Sequence, residues 1–551
     1  MEVLKKHFLF IKEKKYGALC IAVTLVLSYG FYASHYTVHI DQLVSEYYNG
    51  TLLVNAGRWS APLIHLLTGW MDFSPFWHTA VMALLLFAAA TAWGVLFSMT
   101  SAGKISNAAF LSFGAVFVSF PVTAAQLTYP ILNIALAYLL VPLALQSVLS
   151  GFAVKKGRIK KYLSALVLLI VSVDLYESFA GVFLVGVFAV LLLLYFYNGG
   201  MFSKRKDYYY FALTAAVIFA AAIVLDFILS KLISLALCGT AKYWYENPTS
   251  IAWFVSSVSA GVKRLICTLF ATFVIGSASV PFLLFFLVSA VAGLIAFIVV
   301  AAKKRSALPL LFYLGLVLSV FALPLLLGRT LPFTQMQVLP VFAAFLVLLA
   351  MQFCRNKKIL NIIVSCVLIV IVLNQTKQIN NYAVENYERY TYETSILEDI
   401  GRDLLQYDTK NKPVAVYAND YLLPQSLRHS RQALHSVERL YRNAACAVLD
   451  RILPEGFYNR LNRNGYDSVQ SAEDIASQIA DSFPVYRSYI AWSEFENDFH
   501  KMMARLGYSL QPCTPEQKAK ALRSDLGNDP TCRYRIIETD EYIVVRIMTV
   551  D

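Results

Sequence analysis

Long apolar segments recur along this chain as far as residue 374 and then stop. Eleven of them approach the roughly 20 residues that a helix needs to cross the hydrocarbon core of a bilayer. Charged residues make up only 15% of the chain, against about 25% in an average soluble domain. The pattern predicts a polytopic α-helical membrane protein and excludes a cytosolic enzyme, a disordered protein and a small disulfide-bonded protein. The eleven predicted spans are residues 17–35, 77–99, 105–121, 131–151, 161–174, 178–197, 210–236, 280–301, 307–328, 337–353 and 359–374.

Basic residues give the expected orientation of these spans. Residues 1–374 contain 26 Lys and Arg and 10 Asp and Glu, a balance of +16, whereas residues 375–551 contain 21 and 25, a balance of −4. Eleven crossings place 20 of the 26 basic residues on one side, which the positive-inside rule assigns to the cytoplasm. We therefore expect the N-terminus inside, uncleaved, and residues 375–551 outside. Because the basic residues belong to membrane loops, the net charge of +12 does not indicate a nucleic-acid partner.

The same pattern predicts three parts of the chain. Residues 1–374 form the transmembrane domain, residues 375–412 a helical stalk, and residues 413–551 an extracytoplasmic α/β domain. Two apolar stretches inside the first part, 61–71 and 265–278, do not fit the count of crossings. We interpret both as re-entrant or interfacial segments, and short tilted spans are the alternative.

The outer domain shows separate helix and strand signals. KPVAVYA at 412–418 predicts a buried strand, 425–452 and 485–507 predict helices, and the alternation over 533–548 predicts a β-hairpin. Cys513 and Cys532 would close the loop before the hairpin as a disulfide if the compartment is oxidising, and unpaired thiols are the alternative.

The first outer loop contains the residues best suited to chemistry. Asp41 and Glu46 follow the first span, where a carboxylate is costly unless it is solvated, paired or functional. Such a carboxylate can accept a proton from a hydroxyl group. Further along, Arg58 can bind a phosphate through paired donors and Trp59 can stack on a sugar. The structural alternatives are a solvated acid and an interfacial Arg-Trp anchor.

Other candidate residues lie at predicted outer turns. Asp174, Tyr176 and Glu177 occupy one tight turn, and Tyr129 occupies another. Six basic residues fall outside the cytoplasmic set, and a lipid phosphate on the outer side would have to bind to some of them. We favour Arg329 and Arg58, with Lys242 and Arg264 next; the remaining two are Lys231 and Lys263.

The seventh span contains two charged residues, Asp226 and Lys231, which either pair loosely or each face a cavity. The sequence has no P-loop, no GxGxxG after a strand and no HExxH, and its cytoplasmic loops are too short for a nucleotide-sugar domain. A sugar donor would therefore be lipid-linked. No cofactor is implied, no spacing predicts a metal site, and a divalent ion stays open.

The order of these features resembles a known family. A span is followed by an acidic outer loop ending in Gly57-Arg58-Trp59, then by the Tyr176-Glu177 turn, an isolated Arg329 and an outer domain. Over residues 1–375 this resembles the bacterial Gtr-type, serotype-converting O-antigen glucosyltransferases, which have the membrane-embedded C-type glycosyltransferase (GT-C) fold.

The resemblance implies a reaction and a set of roles. A hexose, glucose, would move from undecaprenyl phosphate to a lipid-linked O-antigen or another surface polysaccharide, with inversion, on the periplasmic face of the bacterial inner membrane. Asp41 would act as the base, with Glu46 or Glu177 as alternatives, and Arg329 and Arg58 would hold the donor phosphate. The remaining substrate-binding candidates are Trp59, Asp174, Tyr176 and Tyr129.

Other functions fit parts of the pattern. Another transferase of this architecture, specific for aminoarabinose or mannose, or a polysaccharide ligase, would change only the sugar and the acceptor. A lipid or polysaccharide transporter would typically show paired repeats and midplane charges, and the sequence has no internal repeat. A non-catalytic assembly partner is the third alternative.

Overall fold

A computed structural model describes most of the chain. The described residues are 2–35, 37, 53–54, 57–68, 75–124, 131–154, 156–197, 202, 204–238, 283–327, 335–418, 443–444, 447, 451, 498–523 and 532–548. The predicted segment 265–278 and most of the predicted helix 425–452 lie outside them.

The described residues divide into two compact units. One contains those of Met1–Ala33, Tyr48–Asn380 and Ala433–Pro484, and the other contains those of Ser34–Tyr47, Asn381–Gln432 and Val485–Asp551.

Helices make up the first unit. In chain order they are α1 (Glu2–Glu13), α2 (Lys15–Ser34), α3 (Ser60–Thr68), α4 (Pro75–Thr100), α5 (Asn107–Ser119), α6 (Pro121–Ala124), α7 (Ile131–Ala153), α8 (Arg158–Leu175), α9 (Phe179–Tyr197), α10 (Arg205–Cys238), α11 (Leu283–Lys304), α12 (Leu308–Ser319), α13 (Ala322–Leu327), α14 (Val338–Cys354) and the first half of α15 (Lys358–Leu404). Each of the eleven predicted spans coincides with at least one of these helices.

Seven of these helices are long and apolar enough to cross a membrane: α2, α4, α7, α9, α10, α11 and α15. Three further apolar helices, α5, α12 and α14, are shorter, and α8 starts with three basic residues in its first turn. The chain is therefore a polytopic helical membrane protein. The count of eleven crossings and the sides on which the termini lie stay predictions.

One predicted span is not a single helix. Residues 307–328 form α12 and α13, which are separated at Val320 and Phe321. Pro324 has no N–H to donate and its ring would clash with the carbonyl four residues earlier, so an unbroken helix through this point is disfavoured. The backbone closes the gap with tighter bonds, from Val320 N to Val317 O and from Phe321 N to Leu318 O.

The core of this unit is a chain of buried aromatic rings. The ring centroids of successive members lie between 4.7 and 6.0 Å apart, in the order Trp93, Phe97, Phe113, Phe117, Tyr138 and Phe179. The Tyr138 hydroxyl donates to the Gln337 carbonyl oxygen at 2.7 Å, so its buried polar atom has a partner. These contacts hold α4, α5, α7, α9 and the start of α14 together.

Helix α3 covers residues 60–68 of the stretch that we interpreted as re-entrant or interfacial. Nine residues of α-helix rise about 13 Å, which is less than half of the hydrocarbon thickness. Helix α3 therefore cannot cross a bilayer alone, and its position relative to the bilayer stays a prediction.

Helix α15 continues without a break beyond the predicted span that ends at residue 374. Its 47 residues rise about 70 Å, more than twice the thickness of the hydrocarbon core. The polar residues from 375 onward therefore continue the helix rather than start a separate element.

The second unit contains the end of α15 and a small three-stranded sheet. The strands are β1 (Val414–Tyr417), β2 (Tyr534–Glu538) and β3 (Ile543–Ile547), in the order β1-β3-β2. β1 and β3 are parallel with Val414 opposite Ile543, and β2 and β3 form an antiparallel hairpin with Tyr534 opposite Ile547. The predicted strand at 412–418 and the predicted hairpin coincide with these strands.

Two short helices accompany the sheet: α16 (Asp498–Arg505), within the predicted helix 485–507, and α17 (Pro515–Arg523), which packs on β1. A ring nitrogen of His500 lies 3.0 Å from the Val414 carbonyl oxygen, and burial lowers the pKa of this imidazole, so the neutral ring donates. Cys513 is buried and Cys532 is exposed, and both are free thiols rather than the disulfide that the sequence allowed.

Candidate active site

Five of the predicted site residues lie together in the first unit: Arg58, Trp59, Asp174, Tyr176 and Glu177. They come from the loop before α3 and from the turn between α8 and α9. The other six predicted site residues lie outside the described part of the chain: Asp41, Glu46, Tyr129, Lys242, Arg264 and Arg329.

The loop before α3 has a defined backbone. Gly57 N donates to Val54 O at 2.9 Å, and Arg58 N donates to Leu53 O at 2.8 Å. This is the pattern of a Schellman motif, in which a glycine in the left-handed region ends a helical turn. Gly57 has a φ of 81°, which a residue with a Cβ adopts only with strain. The motif directs the chain into Arg58 and Trp59 immediately before α3 begins at Ser60.

Asp174 joins this loop to the end of α8. Its carboxylate is 1% exposed and accepts three hydrogen bonds: from Trp59 N at 3.1 Å, from Ser60 N at 2.7 Å, and from the Ser60 hydroxyl. The first N–H groups of a helix have no acceptor within the helix itself. Asp174 is such an acceptor for the start of α3, although it is more than 110 residues away in the sequence.

Arg58 is held by the turn that follows Asp174. Its guanidinium lies 3.3 Å from the nearer carboxylate oxygen of Glu177, and the two side chains are 19% and 29% exposed. The guanidinium carbon also lies 4.8 Å from the centroid of the Tyr176 ring, within the range of a cation–π contact. Arg58 is thus stacked and paired while still partly accessible.

Helix α10 contributes two residues that the sequence analysis did not assign to the site. The Ser230 hydroxyl donates to the Gly57 carbonyl oxygen at 3.1 Å. The Asp226 carboxyl lies beside the Trp59 indole and close enough to Asp174 and Glu177 to be repelled by their charges. The Lys231 ammonium, the expected partner of Asp226, lies 4.7 Å from the centroid of the Phe227 ring.

The arrangement combines three carboxyl groups with one guanidinium and one indole. Asp226 Oδ1 and the Trp59 indole nitrogen are buried and have no hydrogen-bond partner among the described residues. Within the described part of the chain, no three His, Cys, Asp or Glu side chains are grouped so as to hold a metal ion. The cluster can offer a cation to an anionic group, an indole face to a ring, and hydrogen-bonding atoms to a polar ligand.

Ser60 is a further site residue that the sequence analysis missed. Its position was visible as a helix-start signal, since Ser60 stands directly before the apolar run Ala61–Leu67 with Pro62 in the first turn. Its partner was not visible, because the acceptor lies on α8. A second contact ties α3 to α7, where a ring nitrogen of His65 lies 3.2 Å from Asn133 Oδ1.

Comparison with known proteins assigns a family. The family model for the glucosyl transferase GtrII matches residues 30–351, more than half of the chain. The chain belongs to the GtrII glucosyltransferase family. No match was found among curated proteins. The matched region contains the whole cluster of residues 57–60, 174–177 and 226–230 and ends before α15.

Membership of the GtrII family makes this chain a glycosyltransferase, and the resemblance drawn from the sequence is confirmed. A glycosyltransferase takes a sugar donor and an acceptor, so the transporter and assembly-partner alternatives are set aside. The donor, the acceptor and the roles of individual residues stay predictions at this point.

Removing the Asp174 carboxylate should destabilise the GtrII domain. Asp174→Ala leaves two backbone N–H groups and a hydroxyl without their acceptor, each at a cost of about 1–3 kcal/mol when buried. Asp174→Asn retains one acceptor oxygen, and Ser60→Ala removes only the hydroxyl. We expect the unfolding temperature in detergent to fall most for Asp174→Ala, less for Asp174→Asn and least for Ser60→Ala.

The matched control is Asp207→Ala, which removes a carboxylate that accepts locally from Lys204 N in the first turn of α10. We expect it to lower the unfolding temperature less than Asp174→Ala does. An Asp174→Ala variant as stable as the wild type would show that the contact with α3 contributes nothing to the fold.

Proposed function

We propose that this chain transfers a hexose, glucose, from undecaprenyl phosphate to a lipid-linked O-antigen or another surface polysaccharide, with inversion. The reaction would take place on the periplasmic face of the bacterial inner membrane. The observation that supports this best is the clustering of Arg58, Trp59 and Glu177, because it combines a phosphate-binding cation with an aromatic face beside predicted outer turns.

The geometry of Arg58 fits a role in binding the donor phosphate. Guanidinium groups bind phosphate oxygens through two parallel N–H donors, and stacking on Tyr176 holds the plane of the group in one orientation. Three carboxyl groups surround this one cation, so further positive charge is needed to bind an anionic phosphate. We assign that charge to Arg329, with Lys242 and Arg264 as further contributors.

The position of Glu177 favours another acid as the base. Its carboxylate is already paired with Arg58, an arrangement that stabilises the charged form and occupies one of its oxygens. A general base must be free to accept the proton of the acceptor hydroxyl. We therefore keep Asp41 as the proposed base and Glu46 as its alternative.

The proposed mechanism is a single displacement. Asp41 takes the proton of the acceptor hydroxyl while that oxygen attacks the anomeric carbon. The bond between the anomeric carbon and the phosphate oxygen breaks on the opposite face, which inverts the configuration. The undecaprenyl phosphate leaves with its negative charge stabilised by Arg58 and Arg329.

The proposed domains follow from the same reading: a transmembrane transferase domain at 1–374 with re-entrant or interfacial segments near 61–71 and 265–278, a stalk at 375–412, and an extracytoplasmic α/β domain at 413–551. Transferases for aminoarabinose or mannose, and polysaccharide ligases, differ from this proposal only in donor and acceptor. A panel of polyprenyl-phosphate sugars distinguishes them.

Replacement of Asp41 tests the reaction and the base together. Purified full-length protein in nanodiscs receives radiolabelled undecaprenyl-phosphate-glucose and polysaccharide from the host strain. We expect label transfer by the wild type and a loss of about 10²–10⁴-fold in Asp41→Asn, the usual contribution of a general base. Glu177→Gln should keep most of the activity. Equal transfer by wild type and Asp41→Asn would move the base to Glu46, which Glu46→Gln tests in the same assay.

Replacement of Arg58 tests phosphate binding. Arg58→Gln should raise the KM for the donor at least tenfold, because a neutral side chain cannot pair with the phosphate. The same variant also leaves Glu177 without its partner, so the double variant Arg58→Gln/Glu177→Gln separates the two effects. We expect the double variant to remain as poor as Arg58→Gln. Recovery of the wild-type KM in the double variant would mean that Arg58 acts only by neutralising Glu177. Arg205→Gln, at an exposed position at the start of α10, is the matched control.

Labelling of Cys532 tests the proposed orientation. The thiol is free and exposed, so a membrane-impermeant maleimide should label it in intact spheroplasts if residues 375–551 lie outside. The signal should fall in Cys532→Ser. A Lys357→Cys variant, at a predicted cytoplasmic loop, should be labelled only after permeabilisation. Labelling of Cys532 only after permeabilisation would reverse the orientation.

A further inference from the structure

The second half of α15 has a cavity on one side that the transfer mechanism does not use. The cavity has a volume of about 370 Å³, and five consecutive-turn residues line it: Tyr387, Glu388, Thr391, Tyr392 and Ser395. They are spaced three, four or eight residues apart along one helix, so they lie on a single face. The cavity lies within the second unit and beyond residue 351, where the family match ends.

The opposite face of the same helix segment is buried and holds the segment in place. Glu385 and Arg389 form an ion pair one turn apart, and both side chains are at most 10% exposed. Ile396, Leu397 and Ile400 continue this face and are at most 1% exposed. The lining residues therefore project from a rigid element rather than from a loop, which favours a preformed site.

Both tyrosine rings are fixed by neighbours within the unit. The Tyr387 ring packs edge-on against the His35 ring, with centroids 4.9 Å apart. The Arg533 guanidinium lies 5.6 Å from the centroid of the Tyr392 ring. Each ring thus has one contacted side or edge, and both rings line the cavity in set orientations.

The lining chemistry favours one class of ligand. Two phenol rings give flat apolar surfaces ending in hydroxyls, and Glu388, Thr391 and Ser395 add further hydrogen-bonding oxygens. The lining has no lysine or arginine, which disfavours a phosphate as the ligand. It also contains no aliphatic side chain that would favour an acyl chain. Sugars match it, because one face of a pyranose ring presents C–H groups to an aromatic ring while its hydroxyls bond to polar atoms at the edge.

We propose that this cavity is a binding subsite for a saccharide segment of the acceptor polysaccharide, separate from the residue that receives the transferred sugar. This inference rests on the proposed function, since it takes the acceptor to be a polysaccharide. The volume falls at the lower end of the range of ligand pockets, so it suits a short segment of a chain. Binding here would tether the acceptor and would contribute equally before and during the transfer step.

Such a contribution has a kinetic signature. An interaction that is as strong in the ground state as in the transition state lowers KM without changing kcat. Loss of the subsite should therefore raise the KM for a long acceptor and leave kcat unchanged. A single repeating unit, too short to reach beyond the transfer site, should be used equally well with or without the subsite.

The test uses full-length protein in nanodiscs and a Thr391→Trp variant. Thr391 is exposed and lines the cavity, so an indole at this position fills the cavity without entering the core. The control, Gln406→Trp, adds the same ring at an exposed position that does not line the cavity. A second pair, Tyr387→Ala and Tyr387→Phe, removes the ring or only its hydroxyl.

The first measurement is binding of a purified oligosaccharide of several repeating units, without donor, by isothermal titration calorimetry. We expect Thr391→Trp and Tyr387→Ala to weaken binding at least tenfold, Tyr387→Phe to weaken it less, and Gln406→Trp to bind as the wild type does. In transfer assays at saturating donor, Thr391→Trp should raise the KM for the long acceptor at least tenfold with unchanged kcat.

Two different failures are distinguishable. If the wild type transfers sugar and Thr391→Trp keeps both the wild-type affinity for the oligosaccharide and the wild-type KM, the subsite is overturned and the proposed function stands. If the wild type transfers no sugar to any polysaccharide, the proposed function fails. An equal loss of kcat with long and single-repeat acceptors would also overturn the subsite, because tethering acts only on acceptors long enough to reach it.

Discussion

The contact between Asp174 and the start of α3 positions the rest of the candidate site. One carboxylate accepts from the backbone of Trp59 and from both donors of Ser60, and it does so at 1% exposure, where lost hydrogen bonds are not replaced by water. Arg58 reaches Glu177 and Tyr176 because its neighbours are held at the end of α8. Ser230 fixes Gly57 from a third helix. Three segments far apart in sequence are thereby brought into one arrangement.

Within that arrangement Arg58 is both held and opposed by acids. Glu177 pairs with it, and Asp174 and Asp226 add two further carboxyl groups nearby. A donor phosphate that binds Arg58 has to compete with Glu177 for the guanidinium. Moderate affinity follows from this competition, and moderate affinity suits an enzyme whose leaving group carries the same phosphate as its substrate.

The fold was largely predictable from hydropathy, and the site only in part. Each predicted span coincides with a helix because a membrane helix satisfies its backbone internally, so local composition decides its extent. The break between α12 and α13 was readable from Pro324, which the count of apolar residues ignores. Arg58, Trp59, Asp174, Tyr176 and Glu177 were each identified by residue type and position at a loop. Their mutual partners were not, since Trp59 and Asp174 are 115 residues apart and no local pattern encodes such a pairing. For the same reason Asp226 was matched with Lys231, its neighbour in sequence, rather than with Trp59.

The Asp174 contact also restricts how this protein can bind an anion. The N-terminus of an α-helix carries partial positive charge from its aligned peptide dipoles and is a common binding site for phosphate. At the start of α3 this place is taken by the chain's own carboxylate. Asp174 is in effect a permanent internal anion, and a phosphate brought to this part of the molecule must be recognised by side-chain cations instead of by the backbone of α3.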